Sequence, residues 1–192
     1  MPLSKPNSPR ELLHTRTVIC RGYRRADGLW DIEGQMTDVK SYGFPNQDRG
    51  GWISAGEPLH GMWLRLTLDD HLTVVDAEAS TDHAPFAVCP RISERYRKLV
   101  GLRIAPGWNR KVKELFAGVQ GCTHLTELLG PVATTAIQTL HSRSREDEAA
   151  ARSKRPPRFL DTCHALASDG EVVKREWPQF YTGEQVTETA RE

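Results

Sequence analysis

The alternation of apolar and polar residues predicts two β-hairpins in the first half of the chain. Residues 14 to 34 contain two β-rich runs on either side of Asp27-Gly28, and an Asp-Gly pair between such runs is a strong hairpin signal. Residues 59 to 79 alternate in the same way, with a turn near their middle. We expect a short continuation of the strand to about Tyr42 and then a loop up to residue 58, because this stretch is rich in turn-forming residues such as glycine and proline.

A helical period replaces this alternation in the middle of the chain. A first helix is predicted over residues 93 to 100 and a second over residues 109 to 119. The longest helix is expected over residues 123 to 143, where apolar residues recur at i, i+3, i+4 and i+7. Pro131 lies inside it and removes one backbone hydrogen bond, so we expect a kink or a break after Leu129.

A third hairpin is predicted near the end of the chain. Residues 159 to 166 and 172 to 177 are the candidate strands, on either side of a run of turn-forming residues. The fold class is therefore α+β, a single domain over residues 1 to 181 with about six mostly antiparallel strands in three hairpins, packed against three helices. Residues 144 to 158 are interpreted as a charged internal linker and residues 182 to 192 as a polar tail.

Composition and charge narrow the class of partner. The 192 residues include 26 Lys and Arg and 25 Asp and Glu, so no overall field attracts nucleic acid or an anionic membrane. No apolar run is long enough to span a membrane and the N-terminus has no secretory pattern, so we expect a cytoplasmic protein. The cysteines are widely spaced and include no Cys-x-x-Cys pair, which favours reduced thiols over a disulfide scaffold. The four cysteines are Cys20, Cys89, Cys122 and Cys163.

The start of the longest predicted helix carries the sharpest chemical signal. Cys122 and His124 lie there, and a thiol at a helix N-terminus feels the positive end of the backbone dipoles while a nearby imidazole further favours the thiolate. Cys122 is therefore a candidate nucleophile or ligand; a buried cysteine beside a surface histidine is the alternative. One side of this helix carries short polar groups and Glu127 but no Lys or Arg, which favours a wall that faces another element or a cavity.

Further candidates lie on predicted strands, where residues two apart share a face. On the first strand His14 and Arg16 share a face, and an arginine there can bind a carboxylate or a phenolate. On the predicted fifth strand Asp161 and Cys163 share a face. In both places the alternative is a set of polar side chains that simply face water.

The cysteines and histidines also raise the question of a metal. Zinc or an iron–sulfur centre could use them if the fold brought them together, but ligand pairs at the spacing typical of metal-binding turns are missing. Motifs for phosphate loops, dinucleotides, α/β-hydrolases and zinc proteases are absent as well. We therefore assign no metal ligands and no cofactor. The residues considered as ligands are Cys89, Cys122, Cys163 and His124.

Several short runs, taken in order, resemble the bacterial domain of unknown function 2889 over roughly residues 10 to 181. This resemblance implies a bacterial cytoplasmic protein and brings no assigned activity or catalytic residues. Proteins of this type also resemble small accessory enzymes of aromatic or steroid catabolism. The runs are His14-Thr-Arg16, Cys20-Arg-Gly-Tyr23, Asp27 to Gly34, Met62 to Asp69, Cys89-Pro90, Gly121 to Leu129 and Asp161 to Leu166.

Two functions of different class follow as hypotheses. The first is an acid–base enzyme without an organic cofactor, of the lyase or elimination type, for example an aldehyde-releasing C–C lyase, acting on a hydrophobic, aromatic small molecule. A histidine would move the proton, a carboxylate would orient it, and the arginine would hold developing negative charge. The candidate catalytic residues are His124, Cys122, Glu127, Asp161 and His14, and the candidate substrate-binding residues are Arg16, Trp63, Trp30 and Cys163.

The alternative is a metal-binding protein, with zinc or an iron–sulfur centre, or an accessory interaction protein that uses the same cysteines and histidines. Elemental analysis separates the two hypotheses. In both cases we expect no nucleic-acid partner and no membrane partner, and the sequence leaves a homo-oligomeric state open.

Overall fold

A meander of four antiparallel strands forms the main sheet of the protein. The computed structural model describes residues 3–141, 156–157 and 159–184. Asp69 closes one turn by accepting the backbone N–H groups of His71 and Thr73, each at 2.8 Å. Both hairpins predicted in the first half of the chain are confirmed, because residues 14–24 pair with residues 30–40 and residues 61–68 pair with residues 74–83. The strands, in sheet order, are β1 (His14–Arg24), β2 (Trp30–Lys40), β5 (Pro58–Leu68) and β6 (Val74–His83).

The third hairpin lies in the segment expected to be a loop. There β3 (Phe44–Asn46) pairs with β4 (Gly51–Ile53), which makes six antiparallel strands in all among the described residues. The α+β class is therefore confirmed. Most of the predicted linker at residues 144–158 and most of the predicted tail at 182–192 lie outside the described residues.

The hairpin predicted near the end of the chain is wrong. Asp161 has φ 59°, a left-handed conformation that a strand does not allow, and its carboxylate accepts the backbone N–H of Ser168 at 2.8 Å. A short 3-10 helix, His164–Leu166, follows. The second candidate strand is instead the helix α3 (Glu171–Glu176). This segment belongs to the second of two compact units, Met1–Ser142 and Arg143–Glu192.

The main helical segments that follow the sheet in the first unit are the 3-10 helix Cys89–Leu99, α1 (Trp108–Phe116) and α2 (Thr123–His141), and a short 3-10 helix, Gly118–Gln120, lies between α1 and α2. The long helix is confirmed, but it continues through Pro131, so the predicted break after Leu129 does not occur. Gly130 precedes the proline and has no Cβ to clash with the proline ring, which removes the usual obstacle to a helical residue before proline.

Two glycines allow α2 to lie directly on the sheet. A Cβ built on Gly34 of β2 would lie 2.6 Å from Cγ2 of Val132, and one on Gly22 of β1 would lie 1.9 Å from Oγ1 of Thr139. Helix α2 therefore packs closely over β1 and β2. The buried core between them includes Ile32, Met36, Met62, Leu64, Leu66, Leu125, Leu128, Leu129, Val132 and Ala136.

Replacing Gly34 by alanine is expected to destabilise the fold by about 1–3 kcal/mol, because the stiff Val132 side chain must move. The double variant Gly34→Ala/Val132→Ala is expected to lose less free energy of unfolding than the two single variants combined, since the new methyl group fills the space that Val132 leaves. Urea denaturation measures all three variants. Additive losses would contradict direct packing of α2 on Gly34.

Candidate functional site

Asp38 is the only buried carboxylate among the described residues, and it lies at the centre of the candidate site. Every second residue of β2 from Trp30 to Asp38 is buried, so the strand alternation turns this carboxylate toward α2. Its neighbours across the sheet are Arg16 on β1 and His60 on β5. Three adjacent strands thus bring an acid, a cation and an imidazole to one place, although they are far apart in sequence.

Arg16 holds Asp38 through two parallel hydrogen bonds. Its Nε donates to Oδ1 and its Nη2 to Oδ2, each at 2.8 Å. Its Nη1 donates to the carboxylate of Glu127 on α2. Hydrogen bonding to Asp38, together with the charges of both carboxylates, raises the pKa of Arg16 well above its usual value, so the guanidinium stays protonated.

Two histidines complete the hydrogen bonding of Asp38. His60 Nδ1 lies 3.0 Å from Oδ2, and His14 Nε2 lies 3.1 Å from Oδ1. With the two bonds from Arg16, each carboxylate oxygen accepts two hydrogen bonds, which uses its lone pairs in full. Because an ionised carboxylate only accepts, His60 presents Nδ1–H to Asp38, and the lone pair of neutral His60 is on Nε2.

The charge states in the site follow from burial and from these contacts. Burial alone would raise the pKa of Asp38, but the hydrogen bonds and charge of Arg16, with help from His60, lower it from 3.8 to about 2. Burial and the neighbouring His124 lower the pKa of His60 below 6.5. At neutral pH the site therefore contains an ionised Asp38 beside a neutral His60.

His124 lies against His60 at the start of α2. The two imidazole rings are 3.8 Å apart between centroids, and His124 Nε2 is 3.8 Å from Asp38 Oδ2. Burial, followed by the charge of Arg16, lowers the pKa of His124 as well. On its other side, Nδ1 lies 3.9 Å from Sγ of Cys122.

Tyr96 holds the first turn of α2 in place. Its hydroxyl accepts the backbone N–H of Cys122 at 3.1 Å and donates to the carbonyl oxygen of Cys122 at 2.9 Å. The carbonyl of Cys122 also accepts the N–H of Thr126, the first hydrogen bond of the helix. Cys122 thus lies immediately before the first residue of α2, at the helix N-terminus that its position in the sequence predicts, and His124 follows against His60.

The structure brings together five of the residues predicted from the sequence. They surround Asp38 from two elements, β1 and the start of α2. On β1, Val18 shares a face with His14 and Arg16, as the alternation of a strand predicts. The five are His14, Arg16, Cys122, His124 and Glu127.

Of the other four predicted residues, two lie elsewhere in the first compact unit and two belong to the second unit. Trp30 is buried at the opposite end of β2, with its indole N–H donated to Asp70 at 2.8 Å. Trp63 alternates with buried neighbours on β5, so it lies on the other face of the sheet, where it donates to Asp82 at 2.8 Å. The remaining two, Asp161 and Cys163, belong to the second compact unit and do not share a strand face there.

Asp38 and His60 are not among the residues predicted from the sequence, although the alternation of each strand indicates an inward side chain at both positions. Asp38 continues the alternation of Trp30, Ile32 and Met36. A carboxylate at an inward position of a strand needs a partner, which the sequence offers in Arg16. His60 precedes Met62 by two residues and so shares its face of β5.

One cluster has the composition of a metal site. Asp38, His60 and His124 can each offer one ligand atom, and these atoms lie within 4.8 Å of one another. No group containing a cysteine has this property among the residues that the structure describes. The set of cysteines considered from the sequence is therefore not brought together there.

The comparisons with known proteins identify the family. The family model described as Protein of unknown function (DUF2889) matches residues 14–138, and the chain belongs to this family. No curated protein and no solved structure matches the chain. The matched segment contains all the described polar partners of Asp38, which are His14, Arg16, His60 and His124. Over residues 3–141 and the described part of the second unit, no helix is long and apolar enough to cross a membrane.

Asp38 gives the stability a pH dependence of known sign. Its pKa is lower in the folded protein than the unfolded value of 3.8, so its contribution is complete above about pH 5 and is lost as pH falls through 3.8 toward 2. The shift corresponds to about 2 kcal/mol. The stability difference between wild type and Asp38→Asn, measured by urea denaturation, should shrink as the pH falls from 7 to 3.

Asp76→Asn is the matched control, because it removes an exposed carboxylate from β6. It should leave the pH profile of stability unchanged. A constant difference between wild type and Asp38→Asn across the pH range would show that the ionised carboxylate does not stabilise the fold.

Proposed function

We propose that this member of the DUF2889 family is an acid–base enzyme that works without an organic cofactor, with His60 as its general base. The observation that carries the proposal is the hydrogen bond from His60 Nδ1 to the buried, ionised Asp38 at 3.0 Å. A carboxylate in this position holds an imidazole in one tautomer and stabilises the imidazolium that forms when the base takes a proton.

His60 has the other properties that a base requires. Its pKa lies below the ordinary value, so it is neutral and able to accept a proton at pH 7. Its side chain is 12% exposed, which leaves access for a small molecule while excluding most water. His124 packs against it with the ring tilted by 33° and is twice as exposed, at 24%, so it lies on the more open side of the pair.

The reaction that suits this arrangement is a lyase or elimination step. In an aldehyde-releasing cleavage, His60 Nε2 takes the proton from a hydroxyl group, and the C–C bond breaks as the new C=O bond forms. The carbon that keeps the electron pair then takes the proton back from the His60 imidazolium. The step needs a base, an acid and a way to accommodate negative charge, and the charged Arg16 lies next to the base.

Exposed aromatic residues near the end of β2 support a hydrophobic, aromatic substrate. Tyr42 follows the strand two residues after Lys40, whose ammonium group lies 5.2 Å from the Tyr42 ring centroid. Tyr42 is 43% exposed and Trp52, on β4, is 55% exposed. Apolar rings next to a few convergent polar groups are typical of sites for small organic molecules.

We also propose that the enzyme works in the bacterial cytoplasm. All four cysteines are free, which suits a reducing compartment. None of the contacts around Asp38 depends on a disulfide bond.

A metal centre at Asp38, His60 and His124 is the second candidate function. Asp38 Oδ2 is 3.0 Å from His60 Nδ1 and 3.8 Å from His124 Nε2, which brackets the separation of about 3.4 Å expected between ligands of a tetrahedral zinc ion. Acid–base chemistry ranks first because Arg16 and the histidines already use both lone pairs of each Asp38 oxygen. A metal would have to displace one of these hydrogen bonds.

His60→Asn tests the base. Asparagine keeps an N–H donor near Asp38 but has no basic nitrogen, so turnover should fall by about 10²–10⁴-fold. The assay follows aldehyde release from a panel of aryl compounds that carry a hydroxymethyl or β-hydroxyl group. In wild type, kcat/KM should rise with pH to a plateau, with a midpoint below 6.5, because protonation of His60 removes the base.

His71→Asn provides the control for this experiment, since it changes an exposed histidine at the far end of the sheet. Its turnover should equal that of wild type. If His60→Asn kept full activity, His60 would not be the base.

Elemental analysis of the purified protein separates the two candidate functions. We expect less than one equivalent of zinc or iron, with turnover unchanged after chelation. Stoichiometric metal that is lost from both His60→Asn and His124→Asn, together with loss of turnover after chelation, would establish the metal centre instead.

A further inference from the structure

We infer that Arg16 binds a carboxylate group of the substrate, and that Glu127 occupies the place of this carboxylate in the free protein. The inference rests on the proposed function, because it places an anionic aromatic ligand beside the proposed base. Arg16 links a buried carboxylate on one side to an exposed carboxylate on the other.

The guanidinium of Arg16 is fixed in orientation. Its Nε and Nη2 bind the two oxygens of Asp38, whose side chain is 1% exposed. This leaves Nη1, and the second N–H of Nη2, on the edge that points away from Asp38. That edge is a planar pair of donors that matches the geometry of a carboxylate.

Glu127 is the group that a ligand can replace. Its side chain is 54% exposed, and its one described polar contact is the hydrogen bond from Arg16 Nη1. Ion pairs between exposed side chains are weak because water solvates both partners well. The pair with Asp38 is buried and stays in place, so exchange of Glu127 for a ligand leaves the rest of the site intact.

The position of Arg16 limits the kind of ligand. Arg16 Nη2 and His60 Nδ1 both bind the same oxygen of Asp38, at 2.8 and 3.0 Å. A carboxylate held on the free edge of Arg16 therefore lies within a few ångströms of the His60 ring. The substrate class is a small aromatic acid whose reacting group lies close to its carboxylate.

Calorimetric titration of the 192-residue protein with benzoate, and with its neutral analogue benzamide, tests the inference. Benzoate should bind at least about tenfold more tightly than benzamide, because only benzoate pairs with Arg16. Glu127→Gln removes the internal competitor and should increase the affinity for benzoate about two- to fivefold. The same variant should leave the affinity for benzamide unchanged.

Glu114→Gln is the matched control. Glu114 is an exposed glutamate on α1 that pairs with Arg110, so its replacement makes the same change in net charge away from Arg16. It should leave the affinity for benzoate unchanged. His60→Asn should still bind benzoate, which separates a failure of binding from a failure of the proposed catalysis.

Three results would overturn the inference. The first is equal affinity for benzoate and benzamide, or no binding of benzoate. The second is an unchanged or weaker affinity for benzoate in Glu127→Gln, which would make Glu127 a structural partner of Arg16 and not a competitor. The third is an equal gain in affinity in Glu114→Gln, which would indicate an effect of net charge alone.

Discussion

The hydrogen-bonded ion pair between Arg16 and Asp38 is the interaction on which the candidate site depends. A carboxylate that is 1% exposed stays ionised only if a nearby cation offsets the loss of hydration. Arg16 supplies both the charge and two hydrogen bonds, and the charge of Asp38 then determines the tautomer of His60. The position of the basic lone pair in the site is thus a consequence of Arg16, which lies two strands away from His60.

The interactions among Arg16, Asp38 and His60 depend on the register of the sheet. Arg16, Asp38 and His60 are direct neighbours across β1, β2 and β5, so a slip of one residue in either pairing would turn one of them to the other face. Helix α2 adds His124 and Glu127 from above. The absence of a Cβ at Gly34 allows the helix to pack closely on the sheet, and the Tyr96 hydroxyl holds its first turn.

The strand and helix periodicities of the sequence predict much of this arrangement but do not identify Asp38 at its centre. Strand alternation correctly puts His14 and Arg16 on one face, and the helical period places His124 and Glu127 in α2. Asp38 lies within the expected continuation of the second strand, but no cysteine, histidine or motif stands beside it in the sequence to mark it as a site residue. The hairpin predicted near the end of the chain is wrong for a local reason. Asp161 has a left-handed backbone conformation and a helix begins after Gly170, and the spacing of apolar residues reports neither feature.

The charges of the cluster explain why it suits the transfer of a single proton. Asp38 and Glu127 each carry a negative charge and Arg16 a positive one, so protonation of one histidine brings the cluster to neutrality. If both His60 and His124 were protonated, two cations would lie 3.8 Å apart between ring centroids, next to the cation of Arg16. Their lowered pKa values have a consequence for folding as well: the unfolded chain binds these protons more readily, so protonation below pH 6.5 favours unfolding. The lowered pKa values that favour neutral imidazoles in the cluster therefore also link its protonation to the stability of the fold.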